Sequence, residues 1–455
     1  MSAKDILNIQ KGDVVSFVGA GGKTSLISDI AREISMEFSV AVTTTTRIYP
    51  FDSTHFMNFC SAIDDTRTAV DIDKTDKIET KIPVFTSGID SERKCLPLDD
   101  EGIKYLTEIY DVVLIEADGA RGKSLKRPRA NEPVVPDFSN KVVWVTGLDV
   151  LGRKFSDELV FKPEIFNEIG FDGENEIDIR NLRHALYSSG GYLDKLPDKE
   201  IYLVLNKIDA AENFNVDSAR LLWHPRLSGL VISGLDGDER FFSEIDNKEI
   251  PVTIVILAAG MSERFGSRKL LAGYRGRPLI CKSTNTALES EAEKTIVVIP
   301  ENSPDLRAIV ESCGKVEIVE NPDAQLGLST SIRAGLERIV NEDGNSRAMM
   351  LLPADMPNID TKLINDVLRA FRDSAAPICA PFENDRFGHP VIFHPVTFSE
   401  IQKISGDIGC RDILRQNPDL VKTATPSKSE TQADIDTPAD LERIDSNERI
   451  LHGVW

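Results

Sequence analysis

Two short stretches of this 455-residue chain carry residue types suited to holding phosphate. In the first, Gly19-Ala20-Gly21-Gly22-Lys23-Thr24-Ser25 follows the apolar run Val14 to Val18 and opens a helical pattern. Glycine puts no Cβ between backbone N–H groups and an anion. A lysine in this place bridges terminal phosphates, and a threonine hydroxyl reaches a magnesium ion. The spacing departs from Gly-x-x-x-x-Gly-Lys-Thr, because Phe17 stands where the first glycine would be, so the loop is shorter or differently shaped. In the second stretch, Leu257-Ala258-Ala259-Gly260 ends another apolar run, and Arg264, Arg268 and Lys269 follow. Small residues let main chain approach a triphosphate, and the cations neutralise charge that builds there during transfer.

Acids stand downstream of both stretches. Val112 to Ile115 leads into Glu116 and Asp118, which with Thr24 are candidate holders of Mg²⁺ or its water. Met349 to Leu352 leads into Pro353-Ala354-Asp355-Met356-Pro357. A carboxylate at the carboxyl end of a parallel strand sits where α/β sheets bind ligands, so Asp355 is the expected Mg²⁺ ligand. Asp436, in Asp434-Ile435-Asp436-Thr437-Pro438, is a candidate second one; either acid is also a ready turn former or helix cap. Asn206-Lys207-Ile208-Asp209 follows an apolar run, and its aspartate can accept from the ring N–H and amino group of guanine. Ser329 opens a hydroxyl-rich helix at Gly327 to Arg333, placed equally for nucleotide contact or for capping. Thr43 to Thr46 with Arg47 either face a γ-phosphate or simply close a β-branched strand.

The elements positioning these residues are short apolar runs alternating with amphipathic stretches. Strands are expected at 14–18, 40–45, 112–117, 142–146 and 201–206, then at 253–257, 295–299, 316–319, 348–352 and 377–380. Apolar runs of that length, separated by helical segments, predict parallel sheets covered on both faces. The fold class is therefore α/β: two Rossmann-like three-layer α/β/α domains, an N-terminal P-loop NTPase-like one over 1–240 and a C-terminal nucleotidyltransferase one over 250–455. A charged stretch between Asp236 and Ile250 marks the seam, and no repeat relates the halves.

Composition narrows the partners. A net charge of -21 excludes a broad nucleic-acid surface, yet Arg121, Lys123, Lys126, Arg127 and Arg129 crowd together, either for a small phosphorylated ligand or as a solvated basic loop. No apolar run approaches a membrane span, and the first residues lack a signal-peptide layout, so no membrane partner and a cytoplasmic location are expected. The six cysteines are scattered without a Cys-x-x-Cys pair, which predicts reduced, mostly buried thiols.

Taken in order, Leu257-Ala-Ala-Gly-x-Ser-x-Arg264-x-Gly-x-x-Lys269-Leu-Leu, Asp355-Met-Pro, Gly388-His-Pro-Val and Gly406-Asp-x-Gly-x-Arg411 resemble the MobA-like nucleotidyltransferase superfamily. Within it, the residues over 251–445 look most like the molybdenum cofactor cytidylyltransferases. That resemblance implies transfer of a nucleotide from CTP to a molybdopterin-type phosphorylated small molecule, since Ala258-Ala259-Gly260 goes with CTP where guanylyltransferases carry Ala-Gly-Gly. It assigns Arg264 and Lys269 to the triphosphate, Asp355 to Mg²⁺, and Leu257 to Gly260 to the nucleotide. Ala354 departs from the usual glycine and Cys410 from a small residue such as alanine. Another phosphorylated acceptor, or a cofactor carrier without turnover, stays open.

The first half, through Gly19-Ala-Gly-Gly-Lys-Thr24, Thr43-Thr-Thr-Thr-Arg-Ile48, Glu116-Ala-Asp-Gly-Ala-Arg-Gly122 and Glu132-Pro-Val-Val-Pro136, resembles the YqeC family over 12–235. Its members are described as accessory factors of selenium-dependent molybdenum hydroxylases, which implies an apo molybdenum hydroxylase as partner. GTP or ATP with Mg²⁺ is the expected ligand, at Gly19, Gly21, Gly22, Lys23, Thr24, Ser25, Asn206, Lys207 and Asp209.

Overall fold

The computed structural model describes residues 2–451 except 61–80, 172, 173, 175, 197, 212, 213, 238, 261–264, 266–268, 408 and 426–433. The chain divides into two compact units, Met1–Leu222 with Arg226–Ile245, and Trp223–Pro225 with Asp246–Trp455.

In the first unit the strands are β1 (Val14–Gly19), β2 (Val40–Thr44), β3 (Phe56–Cys60), β4 (Ile82–Thr86), β5 (Val112–Glu116), β6 (Lys141–Gly147), β7 (Glu200–Asn206), β8 (Gly229–Asp236) and β9 (Glu239–Glu244). They form one sheet in the order β9-β8-β7-β6-β1-β5-β2-β4-β3, with every neighbouring pair parallel except the antiparallel β8–β9 hairpin. All six residues of β1 are buried, so both faces of that strand are covered, as side chains alternate from face to face. On one face Val15 and Phe17 meet Leu26, Ile27, Ile30, Ala31 and Ile34, the apolar stripe of the helix Lys23–Ile34. Because β1 connects to β2 on one side while β6 to β8 build out on the other, its carboxyl end is the point where strand order reverses. Ligands of open α/β sheets bind in the crevice such a reversal leaves.

The second unit contains β10 (Val252–Leu257), β11 (Lys294–Pro300), β12 (Glu317–Asn321), β13 (Ala348–Pro353), β14 (Ile378–Glu383), β15 (Arg386–Phe387), β16 (Val391–Phe393) and β17 (Val421–Ala424). The order is β12-β11-β10-β13-β16-β14-β15, and β17 pairs parallel with β14. β10 lies between β11 and β13, parallel to both, whereas β16 runs antiparallel to β13 and β14. The sheet is therefore mixed rather than wholly parallel. The helix Thr361–Arg372 starts where Asp360 accepts from the Leu363 amide at 2.9 Å, and it buries Leu363, Ile364, Val367, Leu368 and Phe371. Register aligns Leu257 with Pro353, which brings the turn after β10 beside the turn after β13.

The boundary between the units, after Ile245, falls inside the charged seam, and the first part of that stretch pairs as β9. Arg240 on β9 pairs with Asp29 at 2.5 Å, and Phe242 joins the core. Charge on an edge strand is compatible with pairing because one side of it faces solvent.

Candidate nucleotide sites

At the carboxyl end of β1, Gly19, Gly21 and Gly22 all have φ between +93° and +102°, a region closed to most side chains. Their closest neighbours belong to the protein itself. A Cβ on Gly19 would stand 2.2 Å from the Val145 carbonyl oxygen, and one on Gly21 would stand 2.3 Å from the Gly147 nitrogen. The tight turn thus lets the loop lie on the end of β6.

Lys23 begins the following helix and is 4 % exposed. Its Nζ donates to the Gly19 carbonyl at 2.6 Å and pairs with Asp118 Oδ1 at 3.1 Å. Thr24 donates its hydroxyl to Glu116 Oε2 at 2.9 Å, so the hydroxyl and carboxylate expected to share a metal ion already meet. Burial raises the Glu116 carboxyl above its ordinary value, against the opposing pull of the Lys23 charge. Ser25 lies on the exposed side of the helix.

Asp118 organises the loop from below. It accepts from the Gly19 amide at 3.1 Å and from the Tyr192 hydroxyl, and pairs with Lys126 at 3.3 Å. Lys126 is itself fully buried, pairs with Glu132 at 3.0 Å and lies 4.9 Å from the Phe161 ring centroid. Burial alone would raise Glu132, but the Arg129 hydrogen bond and the Lys126 charge bring it down to about 2. Burial, then the Asp118 charge, raises Tyr192 well above the usual phenol. The basic cluster of the sequence is thus neither a uniform ligand surface nor a solvated loop: Lys126 neutralises buried acids, and Arg127 donates to the Ser188 carbonyl at 3.2 Å. Buried cations are held this way because an unpaired charge away from water is costly. No local pattern in the sequence marks Tyr192, which lies 74 residues from Asp118; the acids at 118 and 132, close in sequence to Lys126, were the available signal.

The tetrad at the end of β7 is tied into the same framework. Asn206 donates to the Gly21 carbonyl at 2.7 Å and accepts from Arg240 at 2.8 Å. Lys207 reaches Ser124 Oγ at 2.7 Å and Asp149 at 2.9 Å. Asp209 is exposed and accepts from the Leu235 amide at 3.0 Å. The threonine run closes its strand: Thr43 donates to the Phe85 carbonyl and Thr44 to the Glu116 carbonyl, each at 2.8 Å.

In the second unit the turn after β10 buries Ala258 and Ala259, and Ala258 donates its amide to Val298 at 2.9 Å. Gly260 is exposed, and among the described residues a Cβ on it would meet no heavy atom within 4 Å. Arg264 and Arg268 lie outside the described residues. Lys269 opens a short helical turn and is 7 % exposed. Its Nζ stands 2.7 Å from Asp355 Oδ2 and 3.7 Å from Asp436 Oδ1, and donates to the Ile435 carbonyl.

Three separate segments make this cluster. Asp355 is placed by β13, with the Ala354 amide on the Leu257 carbonyl at 3.2 Å and the Ala354 carbonyl on Ser283 Oγ at 2.9 Å. The Ala354 methyl, where glycine is usual, is absorbed by the core. Asp436 is placed by Ile435, a fully buried side chain whose amide donates to the Asp355 carbonyl at 3.0 Å. An apolar residue between two acids is the anchor that carries the acidic segment to the strand end.

Around this cluster, His389 is half-buried, and burial and then the Arg411 charge push its imidazole down to about 4. Ser329 is fully buried, with its amide on the Gly406 carbonyl at 3.1 Å, so that helix start is joined to the Gly406 turn. Gly327 needs its φ of +107° there, since a Cβ would stand 2.6 Å from the Gly406 backbone. Among the described residues no group of three or more His, Cys, Asp or Glu forms a metal-binding set. Two converging carboxylates with further oxygens from a triphosphate suit a hard divalent ion that keeps few protein ligands.

Both units thus present a small-residue turn, a buried lysine and acids at the carboxyl end of a central strand. Comparison with known proteins gives the families. Residues 15–164 match the YqeC protein family and residues 254–421 the MobA-like NTP transferase domain. YqeC of Escherichia coli is 31% identical over 206 residues, 44% of this chain and 78% of that protein. Nicotine blue oxidoreductase of Paenarthrobacter nicotinovorans is 30% identical over 42% of this chain and 96% of its own length. Molybdenum cofactor cytidylyltransferase of Escherichia coli is 25% identical over 42% of this chain and 93% of its own. The chain belongs to the YqeC family in its first half and carries a MobA-like NTP transferase domain in its second, which makes it a nucleotidyltransferase.

Proposed function

We propose that the second unit transfers the cytidylyl group of CTP to the phosphate of a molybdopterin-type acceptor, and that the first binds GTP or ATP to assist maturation of a molybdenum hydroxylase. The observation carrying the first part is Lys269 Nζ lying 2.7 Å from Asp355 and 3.7 Å from Asp436, next to the Leu257–Gly260 turn. An acceptor phosphate oxygen attacks the α-phosphorus of CTP, and the bond to the bridging oxygen breaks to release pyrophosphate. The nucleophile is already anionic, so positioning and charge neutralisation supply the rate, with no strong general base.

Lys269, with Arg264, neutralises the triphosphate, and the turn at Leu257 to Gly260 admits it closely. Asp355 and Asp436 would hold Mg²⁺, which when bound neutralises phosphate oxygens. His389, neutral at ordinary pH, offers a hydrogen-bonding group without adding charge. Phe382 and Phe387, with ring centroids 5.1 Å apart on the hairpin leading to His389, offer apolar faces to a flat acceptor ring.

Mass analysis of products formed from molybdopterin with each of the four NTPs tests the reading. CTP should give the cytosine dinucleotide and pyrophosphate. Asp355→Asn should lower pyrophosphate release at least a hundredfold while keeping the wild-type circular dichroism spectrum. Turnover in that variant near wild type would remove Asp355 from the mechanism; product only with another acceptor would reassign the substrate.

For the first unit the reading is supported by Lys23, Thr24, Glu116 and Asp118 meeting around the loop. Titration of the full chain with GTP and with ATP, each with Mg²⁺, should give saturable binding that Lys23→Ala weakens at least tenfold. Binding unaffected by Lys23→Ala would place the nucleotide elsewhere.

A further inference from the structure

Away from both nucleotide sites, two sulfurs lie in unusually close contact. Cys281 is on the helix Leu279–Leu288 and Cys313 is the last residue of the helix Pro304–Cys313. Cys313 Sγ stands 3.0 Å from Cys281 Sγ, close for two non-bonded sulfurs and about 1 Å beyond a disulfide length. Cys281 is 6 % exposed and Cys313 is half-buried, so a small reagent reaches the second thiol first. Among the described residues no third Cys, His, Asp or Glu joins them as a metal ligand set. Cys379 and Cys410 are instead each buried more than nine-tenths.

The helix carrying Cys281 also holds the nucleotidyl-transfer site in place. Two residues on, Ser283 Oγ donates to the Ala354 carbonyl at 2.9 Å, directly before Asp355. At the helix start the Leu279 amide donates to Ala272 at 2.9 Å, in the turn that begins with Lys269. Movement of this helix is therefore felt by both the lysine and the carboxylate.

We propose that Cys281 and Cys313 are an oxidisable dithiol, closed to a disulfide by a low-molecular-weight disulfide, and that closure shifts the helix supporting Lys269 and Asp355 and slows nucleotidyl transfer. The chemistry balances as two exchanges. The Cys313 thiolate attacks one sulfur of glutathione disulfide and releases one glutathione. Cys281 then attacks the mixed disulfide at the Cys313 sulfur and releases the second. The two electrons lost by the pair reduce one glutathione disulfide to two thiols. Burial, and then the neighbouring Cys281 sulfur, push the Cys313 thiol up to about 12, so exchange is slow at neutral pH and accelerates about tenfold per pH unit above it.

The slowing of transfer rests on the cytidylyltransferase reading, whereas disulfide formation does not, and the test separates them. The full chain is incubated with glutathione disulfide at pH 8.5, alkylated and digested. The expected result is a linked peptide pair containing 281 and 313, about 2 Da below the sum of its reduced parts. Cys313→Ser should abolish the link, and Cys281→Ala should leave a stable glutathione adduct on Cys313. Recovery of that adduct from the wild type, without the link, would overturn the dithiol.

Coupling is read in two ways. Hydrogen exchange at the amides of residues 354–356 should change on oxidation and return with reductant. CTP-dependent pyrophosphate release should fall at least tenfold and recover likewise, since displacements near 1 Å at a reacting centre cost about a hundredfold. A linked pair with unchanged exchange at 354–356 would sever the disulfide from the site. Changed exchange in a chain without cytidylyl transfer would leave the dithiol standing and refute only the activity.

Discussion

Glu116 has the Thr24 hydroxyl as hydrogen-bond donor, yet it is buried enough to favour its neutral form. A glutamate with a raised folded-state value binds more protons folded than unfolded, so its contribution to stability falls as pH rises from the ordinary carboxylate range through that value. Glu116→Gln should remove this dependence: unfolding midpoints in urea at pH 4 to 8 should fall less steeply than in the wild type, with the gap widening toward pH 8. Identical slopes would mean that Glu116 titrates alike in the folded and the unfolded chain. The same variant should weaken Mg²⁺-dependent nucleotide binding, because the amide offers the ion no charge. Glu132 runs the other way. Held at about 2, it stabilises the fold above the ordinary carboxylate range and loses that contribution as pH falls from that range through about 2.

At the scale of elements, the two small-residue turns differ in what they approach. The Gly21 turn is wedged against β6: its φ is +95°, and an added Cβ would stand 2.3 Å from the Gly147 nitrogen. Gly21→Ala should therefore destabilise the first unit by on the order of 2–4 kcal/mol through strain and overlap, visible as a lower urea midpoint. Gly260→Ala meets nothing within 4 Å among the described residues and should leave stability within about 0.5 kcal/mol of the wild type. Its effect should fall instead on CTP affinity, weakened where the methyl group stands in the path of the phosphates. Equal stability losses in the two variants would contradict this division.

At the scale of the molecule, each unit has its own sheet and its own core. A ligand that binds only the folded form stabilises by about 2.7 kcal/mol at a hundred times its Kd. CTP with Mg²⁺ should therefore raise the melting of residues 246–455, followed by hydrogen exchange, and leave β1 to β9 unchanged. GTP or ATP with Mg²⁺ should do the reverse. Protection of both units by CTP alone would assign the nucleotide sites differently. One fold hosts many chemistries, so the acceptor is decided by product analysis rather than by the fold.

The sequence alone determined the central strands and the family of each half, because both are written locally. Apolar runs such as Val14 to Val18 and Met349 to Leu352 read as buried strands, and a small-residue turn with a lysine reads as a phosphate seat. Less legible were β3 and β4, whose polar and proline-containing runs break the apolar signal, and β9, whose charges lie within the seam between the units. Only the tertiary structure decided which distant residues converge. Lys269 meets Asp355 86 residues away and Ile435 166 away, and Asp118 takes the hydroxyl of Tyr192. Spacing in sequence carries no information on such distances, since packing between elements sets them. The dithiol follows the same rule: two cysteines that look scattered along the chain are neighbours because two helices pack side by side.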